Sequence, residues 1–166
     1  MNAPFAPDSE LYYKRKLSVH NFTIYDSRRE GTCYIWDETQ GNVGSSEIST
    51  CLLTYFRSLP NTLRHLITYS DTCAGQNRNQ YTICMMLYSV LSIDNLNIID
   101  MKFFEKGHSH MEADSMHSVI ERTIRPHKVY STDEYEVFIT SARKNPRPYT
   151  VHRMRFSDFL DFHNLG

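Results

Sequence analysis

The chain has 166 residues, 40% hydrophobic and 22% charged, with a formal net charge of -1. That balance suits a globular domain with one core and excludes a disordered or fibrous chain, in which Gly and Pro (six each here) would dominate. The near-neutral charge lacks the basic excess of a strong stand-alone nucleic-acid binder, and no apolar run reaches the roughly 18–20 residues of a transmembrane helix.

Residues 1–16 carry Pro4 and Pro7 and little periodicity, and are expected to be an extended lead-in to a single domain over 17–166. LSVHNFTIY at 17–25 is rich in β-branched and aromatic residues and predicts a strand. A polar turn, SRREG, leads to a second strand at 32–36, antiparallel to the first as in a hairpin. Ile48, Leu52, Tyr55 and Phe56 fall at helical spacing and predict a helix over 46–58, capped by Ser45 or Ser46 and ended by Pro60. A central strand follows at 63–69, then a buried helix at 79–91 and a strand at 96–104. Further on come a helix at 111–123, a short strand at 128–130 and a helix at 133–144 capped by Ser131 or Thr132. The chain closes with a strand at 149–156 and a short helix opened by Ser157. A hairpin followed by alternating strands and helices implies an α/β fold, a mixed sheet flanked by helices on both faces, in the element order of a ribonuclease H-like core. A Rossmann-type sheet fits less well, because no G-x-G-x-x-G follows the first strand.

Cys33, Cys51, Cys73 and Cys84 form no C-x-x-C pair, so they are expected to be free thiols, mostly buried, in a reducing intracellular compartment.

The carboxylates carry the chemical signal. Asp26 ends the first strand, Asp71 ends the central strand and Asp114 lies on the helix after the next strand. Sites in α/β sheets form at the carboxyl ends of strands, so these three acids are the candidate catalytic and metal-binding set. Their oxygens suit Mg²⁺ or Mn²⁺, and a pair of such ions activates a water or 3′-hydroxyl against a phosphodiester. Each acid also has a plainer reading: Asp26 as a turn residue, Asp71 as a cap, Asp114 as a surface helix residue. His117 and Glu121 share the helical face of Asp114 and are further metal candidates, with Glu121 an alternative third acid. His110 joins that face if the helix reaches back to it, and His108 sits just before, both as auxiliary residues; histidine nitrogens would bring Zn²⁺, a less favoured ion here, into play. In the loop DTCAGQNRN, Gln76, Asn77, Arg78 and Asn79 offer amides and a guanidinium suited to nucleic-acid contact, or to a network that holds the loop. Glu47 opens the first helix, where it either suits the helix dipole, the preferred reading, or serves as an additional metal-binding acid. The basic clusters Lys14-Arg15-Lys16, Arg143, Lys144 and Arg147, and Arg153 and Arg155 are either solvated surface or phosphate contacts.

The strings YIWDE, SDTCAGQNRN and FFEKGHSHMEADSMHSVIE resemble an uncharacterised family of transposon-derived animal proteins with a ribonuclease H-like domain, over residues 11–162 or so. The resemblance implies a DDE/DDD-type nuclease or strand-transfer core acting on DNA, with Asp71 and Asp114 as triad acids and Asp26 as the first. It implies a nuclear setting and longer relatives with an upstream region expected to bind DNA; no membrane association is expected, since no apolar run is long enough. Thr72 and Ala74 depart from the Asn and Gly of that family. Three readings follow: a metal-dependent phosphodiester-cleaving or strand-transfer enzyme; a host-captured, inactive module that binds nucleic acid or protein; and a structural zinc site built on histidines. Converging acids mark the first, salt-bridged or splayed acids the second, and tetrahedral histidines with one acid the third.

Overall fold

The computed structural model describes residues 2–3, 17–28, 30–73, 75–105, 111–129 and 131–162. The chain is mixed α/β and forms two compact units, Met1–Gly41 with His110–Phe156, and Asn42–Ser109 with Ser157–Gly166.

The first unit is built on a four-stranded sheet. Its strands are β1 (Asn2–Ala3), β2 (Leu17–Tyr25), β3 (Gly31–Asp37) and β6 (Thr150–Arg153), side by side in that order. β2 and β3 form the expected antiparallel hairpin, with Thr23 opposite Cys33 and Tyr25 opposite Gly31. β6 runs parallel to β3, which makes the sheet mixed. Every residue of β3 is buried, as suits the strand between two neighbours. The helices α3 (Glu112–Ile124) and α4 (Thr132–Ser141) pack on this sheet. Met116, Ile120 and Ile124 recur at helical spacing on α3 and meet Val19, Cys33 and Ile35 from the sheet and Tyr135 and Ile139 from α4. Ser131, not Thr132, caps α4 by accepting a bond from Glu134 N at 3.3 Å.

Gly31 opens β3 because nothing larger fits. A Cβ there would stand 2.7 Å from Met116 Sδ and 2.7 Å from Tyr149 Cδ1.

The second unit holds β4 (His65–Ser70) and β5 (Ile98–Phe103), paired in parallel in a sheet of two. Its helices are α1 (Ser45–Ser58) and α2 (Gln80–Ser92), packed on each other. β4, α2 and β5 make one strand–helix–strand crossover. The strand expected to be central therefore has one described neighbour, β5, and the strands pair as two sheets instead of one. The cap of α1 also differs from expectation: Gly44 precedes the helix, and Glu47 Oε2 accepts from Gly44 N at 3.1 Å. The last expected helix is only a 3-10 turn, Phe156–Asp158.

Two expectations about burial are corrected. The stretch expected to be a buried helix, α2, buries Thr82, Met85, Met86 and Ser89 but leaves Ile83, Leu87, Tyr88 and Leu91 in water. The helix is uncharged and has apolar residues on every side, so composition alone cannot say which side finds a partner. Cys33 and Cys51 are buried, whereas Cys73 and Cys84 are exposed. Among the described residues no helix is long and apolar enough to cross a membrane.

Candidate functional site

Asp26 follows β2 and is committed to its turn. Its Oδ1 accepts from the backbone of Arg28 at 2.8 Å and of Glu30 at 3.1 Å, and its Oδ2 accepts from Arg28 Nε at 2.9 Å and Nη2 at 2.7 Å. Both oxygens are thus engaged, in the turn role that the SRREG string allowed. Arg28 also reaches Glu30 at 3.3 Å, and Arg147 meets Glu30 at 2.9 Å.

Asp114 sits in the first turn of α3, where its Oδ2 accepts from Met111 N at 2.8 Å. An acid at that position satisfies an orphan amide and favours the helix dipole. One turn on, His117 Nε2 lies 2.8 Å from Thr23 Oγ1 on β2. Burial holds the His117 pKa below its usual value, against the opposing pull of the Glu121 and Asp114 carboxylates. His117 thus lies within electrostatic reach of both Asp114 and Glu121 on α3. His108 and His110 lie outside the described residues.

Asp71 belongs to the second unit and directly follows β4. Its Oδ1 accepts from Cys73 N at 3.1 Å and from Asn77 Nδ2 at 2.6 Å. Among the described residues Oδ2 has no hydrogen-bonded partner and no cation pairs with the carboxylate. The loop beyond is largely self-satisfied. The Cys73 carbonyl accepts from the amides of Gln76, Asn77 and Arg78 at 2.8–3.2 Å. Asn79 Oδ1 caps α2 through Thr82 N at 2.9 Å, and the Gln76 carbonyl takes the Thr82 hydroxyl at 3.1 Å. Of the four residues proposed for nucleic-acid contact, Asn77 and Asn79 hold the loop itself. Arg78 is exposed, with its guanidinium 5.7 Å from the centre of the Phe103 ring.

One acid escaped the sequence reading. Asp37 ends β3 at 8% exposure and accepts from Thr39 N at 3.0 Å, from the Thr39 hydroxyl, and from Thr132 Oγ1 at 3.4 Å. No cation pairs with it among the described residues. Its signal was present in YIWDE: an acid that ends an unbroken apolar strand is dehydrated, and hydroxyls must replace the lost water. Glu47, by contrast, spends its carboxylate on Asn42 N at 3.2 Å and Gly44 N, the helix-end role expected of it.

The basic clusters are partly structural. Arg143 lies 4.2 Å over the Tyr149 ring and donates from Nε to the Arg147 carbonyl at 2.8 Å, and Arg153 pairs with Asp133. Lys14, Arg15 and Lys16 lie outside the described residues.

A divalent ion requires several ligands in reach of one point. The carboxylates are donors of the right kind for Mg²⁺ or Mn²⁺, but among the described residues no three His, Cys, Asp or Glu side chains gather into a group that would hold one. The described residues thus offer single oxygen ligands, not a complete coordination shell.

No curated protein and no solved structure matches the chain. Residues 12–164 match the family described as a domain of unknown function, DUF7869, and with nearly its whole length matched the chain belongs to that family.

Proposed function

We propose that this chain is a phosphodiester-cleaving or strand-transfer domain of transposon origin, ribonuclease H-like in fold, that acts on DNA in the nucleus with Mg²⁺ or Mn²⁺. The observation that carries the reading is Asp71. It stands at the carboxyl end of a parallel strand, one oxygen anchored by Cys73 N and Asn77 Nδ2, the other without a described partner. A ligand carboxylate is commonly oriented in this way by hydrogen bonds to its other oxygen. A bound metal would supply charge stabilisation and an activated oxygen nucleophile. The chain's own contribution is to hold the Asp71 carboxylate in one direction and to offer the exposed Arg78, seven residues on in the same loop, for a phosphate. The hairpin of β2 and β3 and the β4–α2–β5 crossover agree with the proposed fold. Asp26 drops out of first place among the acids, because four donors already use it; Asp37 is the better strand-end acid of the first unit.

Thermal unfolding with and without metal tests this. A ligand at a hundred times its Kd adds about 2.7 kcal/mol to stability, which raises the Tm of a chain this size by roughly 5–10 °C. Mn²⁺ or Mg²⁺ is expected to give such a rise in the native chain and none in Asp71→Asn, and Asp71→Asn is expected to abolish cleavage of DNA. A native chain that neither shifts nor cleaves stands against the proposal. It would favour the second reading, an inactive captured module that binds nucleic acid or protein, for which the Asp26–Arg28 ion pair speaks. A rise with Zn²⁺ alone that survives Asp71→Asn would move the site to the histidines.

A further inference from the structure

Among the described residues, helix α2 has an apolar face left in water. Ile83 is 52% exposed, Leu87 61%, Tyr88 45% and Leu91 86%. Ile83, Leu87 and Leu91 are spaced by four and line one stripe about 12 Å long; Tyr88 flanks it. Together they expose roughly 450 Å², the size of the largest and often functional patch on an ordinary monomer. The helix contains no charged residue along its 13 positions, so nothing on it keeps an apolar partner away.

We infer that this face is the interface of a two-fold dimer of the chain, with α2 crossing the α2 of a second copy in antiparallel fashion. Three features select a second copy as the occupant. First, the stripe is self-complementary: a two-fold axis at Leu87 sets Leu87 on its own counterpart and Ile83 on the partner's Leu91. Second, α2 has no acidic residue in its first turn and no basic residue in its last, so its dipole is uncompensated by its own side chains. An antiparallel copy compensates it. The same crossing brings the exposed Asp94, two residues past one end, toward the end that the exposed Arg78 precedes by two residues on the other copy. Third, the two stripes together bury about 900 Å², just under the roughly 1,000 Å² of a stable specific interface and in the range of weak, transient ones. An interface of that size forms a reversible dimer, not a permanent one. At the rim, Arg57 Nη2 already donates to the Tyr88 hydroxyl at 3.4 Å, which orients the tyrosine edge of the patch.

The α2 stripe itself plays no part in the proposed chemistry; only Arg78 serves both readings. Sedimentation equilibrium of the full chain over a concentration series tests it. The apparent mass is expected to climb from 19.5 kDa toward twice that value. Leu87→Glu is expected to stay at the monomer mass with an unchanged circular dichroism spectrum, because Leu87 is solvent-exposed in the monomer. A second variant reads the symmetry directly. With Cys73→Ser and Cys84→Ser in place, Leu87→Cys is expected to form a covalent dimer on mild oxidation, which the parent without Leu87→Cys does not. A chain that remains monomeric throughout, a dimer that persists in Leu87→Glu, or a Leu87→Cys chain that fails to cross-link overturns the inference.

Discussion

Asp26 and Asp71 have the same side chain at the same kind of place, the end of a strand, yet the residues after them decide their roles. Arg28 follows Asp26 by two positions and closes on it with a two-pronged contact, while the amides of the turn occupy the other oxygen. Arg28 is half-exposed, so the ion pair itself contributes little. The two backbone bonds matter more, and Asp26→Ala is expected to lower stability by about 1 kcal/mol, read as a small fall in Tm. His117 gives a pH signature. Burial holds its pKa below the unfolded value of about 6.5. Between those two values the unfolded chain binds the proton and the folded chain does not, so acidification favours unfolding. The contribution of His117 is complete above pH ~6.5 and is lost as pH falls through the folded pKa. Tm measured across mildly acidic pH is expected to fall less steeply in His117→Gln than in the native chain.

Caps and close approaches set the limits of the elements. Asn79 begins α2 by accepting from Thr82 N, and Asn79→Ala is expected to cost about 1 kcal/mol. Asn79→Asp keeps the acceptor and adds a charge that the helix N-terminus favours, so chemical denaturation of the pair separates capping from mere polarity. Gly31 works by absence. Gly31→Ala places a methyl against Met116 and Tyr149 in the core where α3 meets the sheet, and is expected to destabilise by about 1–3 kcal/mol. Both effects follow from local geometry: one from an orphan amide, the other from a side chain that has no room.

Across the whole molecule, the cysteines report where the core ends. Burial pushes the thiols of Cys33 and Cys51 up to about 12, whereas Cys73 and Cys84 are exposed. An aromatic disulfide reagent at neutral pH is expected to titrate two thiols in the native chain and four after denaturation. Four reactive thiols without denaturant would mean that the packing around β3 in the first unit and around α1 in the second opens readily.

Strand and helix positions were legible in the sequence because they depend on short-range pattern. The alternating and β-branched run at 17–25 is β2 to the residue, and the periodic stretch at 46–58 differs from α1 by one position. The acids were legible as strand-end residues for the same reason. What the pattern could not decide is partnership across distance. It could not show that β3 pairs with β6 while β4 and β5 pair with each other, since backbone ladders leave no mark on a single strand. It could not tell that Arg28 would take both remaining contacts of Asp26, or that Asp37 would be buried against Thr39 and Thr132. An uncharged helix such as α2, with apolar residues on every side, carries no sign of which face meets its own chain. Burial is a property of what lies opposite, and only the tertiary structure supplies the opposite side.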